Sequence, residues 1–294
     1  MAMNDLVRAG GYTLVTSDSM YVLSHPDSTY LVAFKASTVS FKPFYRQTSE
    51  TFRTACAREI QTSYCVCNGP YFSIPGKWAT AHYYAGFHID GSNVEQQGQV
   101  YINGALQSDS SAVPAMFYVN QSRTGAYTFG EGNPQSAYNA IGNLTPLILS
   151  HYRSQSGIRS PIRFGDRNLY DRGAETSTAQ VPTGNPAAIH ADNLTQRSNT
   201  RNGQLVAGEG IVALGYNRTA DLLLVLARDN GIASGAAEHE AKSAIEHFSH
   251  FGCTDAVAFD VSTSCTMRTQ SRYYATPDSR KDNAIEVGFK IGPR

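Results

Sequence analysis

The sequence predicts an α+β fold, a mixed β-sheet with a few flanking helices, on three observations. Charged residues make up only 16% of the 294 residues, while Gly, Ser, Thr, Asn and Tyr are plentiful, which suits strands and loops rather than a helical bundle. Short runs of β-branched and aromatic residues are punctuated by turn residues along most of the chain. Two segments instead show helical spacing, and each is followed by a short apolar run that ends in polar residues.

In chain order, Tyr12 to Thr16, Tyr21 to Ser24 and Tyr30 to Phe34 read as strands separated by Ser-Asp and His-Pro-Asp-Ser turns. Thr48 and Ser49 offer N-caps to a helix ending near Ile60, whose apolar face is Phe52, Cys56 and Ile60 at spacing four. Tyr64 to Cys67 reads as a buried strand that ends at Asn68-Gly69-Pro70. Strands follow at Val100 to Ile102 and around Leu106, joined by an Asn103-Gly104 hairpin turn. Others are expected at Ala115 to Val119, Ala126 to Phe129 and Pro146 to Leu149. The stretch 153–209 is polar, rich in Gly, Pro, Asn and Arg, and without a sustained period; it reads as a loop-rich insertion in one domain spanning 1–294. Ile211 to Leu214 and Leu222 to Ala227 are strands around a polar turn. A helix from about Gly235 to Phe251 carries Ala241, Ala244, Ile245, Phe248 and Phe251 on one stripe, with Glu238 and Glu240 early, His247 and His250 late and Gly252 closing it. Ala256 to Phe259 is then a strand that delivers Asp260. If the strands of each strand–helix–strand unit run parallel, Asn68 and Asp260 converge at one sheet edge.

Bulk charge narrows the partners. A formal net charge of +0 provides no field to draw the protein to nucleic acid or an anionic membrane, so neither is expected as a partner. Leu222 to Ala227, the longest apolar run, is too short to span a bilayer. Five cysteines without framework spacing, and no charged-then-apolar leader, read as reduced thiols in the cytoplasm or in a particle assembled there.

Three signatures resemble the phosphodiester glycosidase family. That family carries Asn-Gly-Gly-Phe/Tyr-Phe after an early strand, where this chain has Asn68-Gly69-Pro70-Tyr71-Phe72. It carries Asp-Gly-Gly-Gly-Ser-Ser-Thr-Met after a late helix and strand, where Asp260, Ser264, Thr266 and Met267 match. Ala140 to Ile148 resembles the family's glycine-rich approach to a strand, and Glu286 to Ile291 its final strand. The resemblance covers roughly residues 30 to 291 and implies that family's fold and hydrolysis of a sugar-1-phosphodiester, such as a nucleotide sugar or a glycan phosphodiester, without a cofactor. There are departures. The family's Arg-Thr-Ala-Ile-Gly has become Ile211-Val212-Ala213-Leu214-Gly215, its glycine run Val261-Ser262-Thr263, and Pro70 replaces a glycine. An Arg on a phosphate makes charge-assisted bonds of roughly 1.5–3 kcal/mol each. The site is therefore either rebuilt or disabled, and a non-catalytic relative stands as the alternative: a glycan-binding or structural subunit, for example of a virus or phage particle, assembled as a homo-oligomer or larger array.

Asp260 is the candidate catalytic residue, positioned to stabilise positive charge at an anomeric carbon, against a plain role in capping its loop. Asn68, Ser264 and Thr266 are candidates for holding phosphate and sugar; Asn-Gly is otherwise a turn, and hydroxyls at a strand end are ordinary. Arg163 and Arg167, in an arginine-rich part of the insertion, are candidates to replace the lost phosphate ligand, against pairing with Asp166 and Asp171. No metal site is expected: His247 and His250 lie three apart on a helix, but no further ligands stand at telling spacing. Cys65 and Cys67 share one strand face and read as core.

Overall fold

A computed structural model describes residues 7–16, 20–70, 72–73, 95–96, 99–108, 117–131, 134, 136–142, 144–149, 162–163, 210–229, 237–259, 264–277, 279, 282–283 and 285–294. Strands β1 (Thr13–Thr16), β2 (Tyr21–Ser24), β3 (Thr29–Lys35) and β4 (Val39–Tyr45) lead to helix α1 (Phe52–Glu59) and β5 (Cys65–Asn68). Shorter strands follow: β6 (Phe72–Ser73), β7 (Glu95–Gln96), β8 (Val100–Ile102), β9 (Ala105–Ser108), β10 (Phe117–Gln121), β11 (Tyr127–Glu131), β12 (Asn139–Ile141), β13 (Thr145–Leu149) and β14 (Ile162–Arg163). The last third holds β15 (Ile211–Asn217), β16 (Leu222–Arg228), helix α2 (Ala237–His250), β17 (Asp255–Ala258), β18 (Met267–Thr269), β19 (Tyr273–Ala275) and β20 (Val287–Pro293).

One sheet has the order β1-β2-β3-β16-β15-β17-β13-β14, a second β19-β18-β5-β20-β4, and a third β11-β10-β12-β8-β9. The α+β class expected from the sequence holds. Among the described residues every ladder is antiparallel, so the parallel component takes a less direct form. Strands β4 and β5 both run antiparallel to β20, which lies between them, and therefore share a direction. Likewise β16 and β17 flank β15. Each strand–helix–strand unit thus steps over a central antiparallel strand instead of laying its strands side by side.

Period-two burial shows how the layers stack. On the eight-stranded sheet, Leu31, Ala33, Ala213, Leu222, Leu224, Leu226, Ala256 and Ala258 face one core. Their chain neighbours Val32, Val212, Leu214, Leu223, Val225, Ala227 and Val257 face another. A sheet buried on both faces needs continuous apolar runs, which explains Leu222 to Ala227. The first core is covered by α2 through Ala244, Ile245, Phe248 and Phe251. The second is shared with Val39, Phe41, Cys65, Cys67, Phe289 and Ile291 of the second sheet. On that sheet's other side, Phe44, Val66 and Ile285 meet Phe52, Ala55, Cys56 and Ile60 of α1 and the turn after it. The order is α2, eight-stranded sheet, five-stranded sheet, α1.

Several local expectations shift. Helix α1 is capped by Thr51, not by Thr48 or Ser49; Thr51 has extended backbone, and its Oγ1 accepts the Thr54 N–H at 3.2 Å. Strand β4 was hidden by Pro43, which ordinarily argues against a strand; the sheet tolerates it because β4 is an edge. The hairpin between β8 and β9 turns as expected at Asn103 (φ 53°) and Gly104 (φ 85°). Of the insertion at 153–209, Ile162–Arg163 is described, as β14 beside β13, and the rest lies outside the described residues. No disulfide joins the five cysteines, all of them buried.

Close approach of α2 depends on Gly215, since a Cβ there would meet Phe248 Cδ1 at 2.3 Å. Phe248→Ala is expected to cost about 3–5 kcal/mol, read from urea unfolding, and Gly215→Ala to destabilise by displacing the same ring. A second lever lies on α1. Burial alone would raise the Glu59 carboxyl, but Lys290 on β20 and Arg58 outweigh it and lower it. The stability from this depressed carboxyl is present above its ordinary range and is lost as pH falls through its folded value. Glu59→Gln should therefore lower the melting temperature at pH 7 and close the gap with wild type in acid.

Candidate active site

The sequence signatures meet where β17 ends. Ala258 pairs with Thr145 of β13 on one side and with Ala213 of β15 on the other. The next residue, Phe259, donates its N–H to the Val212 carbonyl at 2.9 Å. Its ring stacks on Phe289 of β20 with centroids 4.4 Å apart. Phe289 in turn lies in register with Cys67, one residue before Asn68. Four segments far apart in sequence thus converge on the strand that delivers Asp260, although they come from two sheets and not from one edge.

Asp260 itself lies outside the described residues, as do Arg167 and the Val261-Ser262-Thr263 stretch. Arg163 is described only as the last residue of β14, and β14 borders β13. The described residues on either side of Asp260, Phe259 and Ser264, are both buried. Beyond them, β18 pairs with β5, with Met267 opposite Cys67.

Asn68, Ser264 and Thr266 are brought together as expected, and the geometry gives them a definite task. Asn68 is fully buried at the end of β5. Its Oδ1 accepts the Thr266 N–H at 2.9 Å, and its own N–H donates to the Thr266 carbonyl at 3.2 Å. The Thr266 hydroxyl donates to the Ser264 carbonyl at 3.1 Å. These bonds tie the end of β5 to the start of β18, across the foot of the segment that carries Asp260. Asn68-Gly69 is not a turn. The Gly69 N–H donates to Val287 O at 2.9 Å, and a Cβ at Gly69 would stand 2.6 Å from that oxygen. The glycine is needed for a backbone-to-backbone approach.

The family's Arg-Thr position is filled by Ile211 and Val212, both buried and each facing one of the two cores. Burial, and then the Cys65 thiol beside it, push the Cys67 thiol well up, so Cys67 packs rather than reacts.

A polar centre outside these signatures escaped the sequence reading: His25 and Asp27 in the β2–β3 turn meet His247 of α2. Burial alone would raise the Asp27 carboxyl; bonds from His247, His25 and the Thr29 N–H outweigh it and hold it well below the usual carboxylate range. The His-Pro-Asp spacing at the turn was the one local signal, and its third member stands 220 residues away.

No protein-family model matches the chain, and no curated protein matches it in sequence. Among solved structures, the chain is similar to the catalytic domain of zebrafish N-acetylglucosamine-1-phosphodiester alpha-N-acetylglucosaminidase, auto-inhibited by its pro-peptide. That match has a TM-score of 0.55 and 13% identity over 96% of this chain and 82% of that one. It is also similar to a protein from Burkholderia pseudomallei K96243, with a TM-score of 0.52 and 11% identity over 97% of this chain and 76% of that one. At these identities the likeness is one of fold.

Removing the Asn68 side chain leaves the buried Thr266 N–H without the oxygen it donates to. Asn68→Ala is expected to destabilise by about 1–3 kcal/mol, and Asn68→Asp, which keeps an acceptor but buries a carboxylate, to be no milder near neutral pH and to recover toward wild type as the pH falls; chemical denaturation with both variants checks this.

Proposed function

We propose that the chain is a divergent phosphodiester glycosidase that hydrolyses a sugar-1-phosphodiester, a nucleotide sugar or a glycan phosphodiester. The observation that carries the reading is the convergence of β5, β13, β15 and β17–β18 on the segment around Asp260, within a fold shared with a phosphodiester glycosidase catalytic domain. In this reading Asp260 stabilises the positive charge that develops at the anomeric carbon as the bond to the phosphate oxygen breaks. The departing phosphate monoester is a good leaving group, so little general-acid help is required, and no cofactor enters. Asn68 and Thr266 serve as a strut between β5 and β18, with Thr266 also bonded to the Ser264 carbonyl, since the polar contacts they make are spent inside the protein. The phosphate grip lost with the family's Arg would fall to Arg163 or Arg167.

A second reading draws on that same inward use of polar groups, together with the apolar residues at the Arg-Thr position. It is a non-catalytic relative that binds glycan or serves as a structural subunit of a homo-oligomer or virus particle.

Sugar release from a panel of sugar-1-phosphodiesters and nucleotide sugars separates the two. The glycosidase reading expects release by wild type and a fall of at least about 100-fold in Asp260→Asn, the order lost when a charge-stabilising group is removed, with the melting temperature preserved. No release, alongside glycan binding that Asp260→Asn leaves intact, would select the second reading.

A further inference from the structure

His25, Asp27 and His247 form a compact set of donors that no element of the proposed glycosidase site uses. His25 Nδ1 lies 2.8 Å from Asp27 Oδ1, and His247 Nε2 lies 3.0 Å from Asp27 Oδ2. One ligand atom from each of the three residues falls within 4.8 Å of the others. Tetrahedral zinc, with bonds near 2.0–2.2 Å, holds its ligand atoms about 3.3 Å apart. Small rotations of the two rings would therefore open the space an ion needs.

The surroundings are those of a metal centre as well. A ligating histidine normally passes its second ring N–H to an oxygen, which sets the tautomer and aims the lone pair at the metal. His247 has the partners for this: with Nε2 on the Asp27 side, its Nδ1 is hydrogen-bonded to the Tyr12 hydroxyl, which can donate or accept as the ring tautomer requires. Asp27 is itself oriented, with Oδ1 accepting the Thr29 N–H at 2.9 Å and Oδ2 accepting the Ser243 hydroxyl at 3.1 Å. The turn that presents Asp27 is closed by His25 N–H to Thr29 O at 2.9 Å, and Arg228 donates to the Asp27 carbonyl at 2.9 Å.

We propose that His25, Asp27 and His247 bind a divalent transition-metal ion, zinc by preference, which clamps the β2–β3 turn to α2. Two imidazoles and one carboxylate suit zinc and its neighbours and do not suit calcium or magnesium, which take oxygen ligands. His25 and Asp27 keep 27% and 28% of their side chains exposed, so a water can fill the fourth position. Because the ligands lie on two elements 220 residues apart in the chain, binding would report directly on the docking of α2 against the turn.

The test uses the untagged full chain, stripped with chelator and dialysed against zinc, with bound metal counted by mass spectrometry and affinity measured by calorimetry. One equivalent of zinc is expected, with a melting temperature raised by several degrees and restored by chelator. His25→Ala, at a part-exposed position that the fold tolerates, should lose the ion; Tyr12→Phe should weaken binding by about 10-fold, as second-layer changes do; His250→Ala should bind as wild type does. Cobalt substitution provides a check that needs no variant: a four-coordinate site gives strong visible absorption. Sub-stoichiometric zinc, or binding that survives His25→Ala, or a cobalt spectrum no stronger than that of the free aqueous ion, would overturn the proposal and leave the cluster as a hydrogen-bonded brace.

Discussion

The central strands of the eight-stranded sheet, β3, β16, β15 and β17, have neither face free for water, and most of the molecule's arrangement follows from that. Leu222 to Ala227 alternate between two cores, so a polar residue at any of these positions would be stranded in one of them. One face needs a helix, and α2 supplies it, with Phe248 lying over Gly215. The other face needs a second sheet, and β4, β5, β18 and β20 supply it. The candidate site is a product of this stacking. Asp260 follows the last residues of a strand in one sheet, and Asn68 ends a strand in the other. The ends of the two strands are brought together where Phe259 and Phe289 pack ring on ring between the layers.

That origin explains both what was legible in the sequence and what was not. Strands whose burial is carried by their own residues were readable: Tyr21–Ser24, Ile211–Asn217 and Leu222–Arg228 announce themselves by apolar runs, and α2 by its stripe of Ala244, Ile245, Phe248 and Phe251. The Asn103-Gly104 turn was readable because positive φ at two successive positions admits few residues. Strand β4 was not, since Pro43 is acceptable only at an edge, and edge status depends on what lies beside the strand. The antiparallel strand inside each unit was equally hard to place, because β20 enters from far along the chain and the insertion of β15 between β16 and β17 leaves no local trace. Within the site, the meeting of Asn68 with Ser264 and Thr266 was foreseen, but their use of polar groups on one another was not. Hydrogen-bond partners 198 residues apart leave no trace in local spacing. The His25, Asp27 and His247 group was missed for the same reason.

Two features bear on the end of β17. Asn68, Ser264 and Thr266 are buried, and Asn68 and Thr266 are hydrogen-bonded across β5 and β18. Ile211 and Val212, next to this end, each face one of the two cores. A cation at either position would bury a charge in one of them, at a cost of several kcal/mol. Any anion affinity at this end of the sheet must therefore come from chain segments that approach from outside the layers.

The placement of β20 has a consequence in time rather than in space. Residues 287–293 lie between β4 and β5, which precede them by more than two hundred positions. During synthesis β4, α1 and β5 leave the ribosome long before the strand that must join them, and until it arrives each presents an open edge to solvent and to other chains. The second sheet can close only once β20 has been made, and with it the cover over the larger sheet. Folding should accordingly be slow, governed by long-range closure, and dependent on whatever shields those early edges while the chain is still being made.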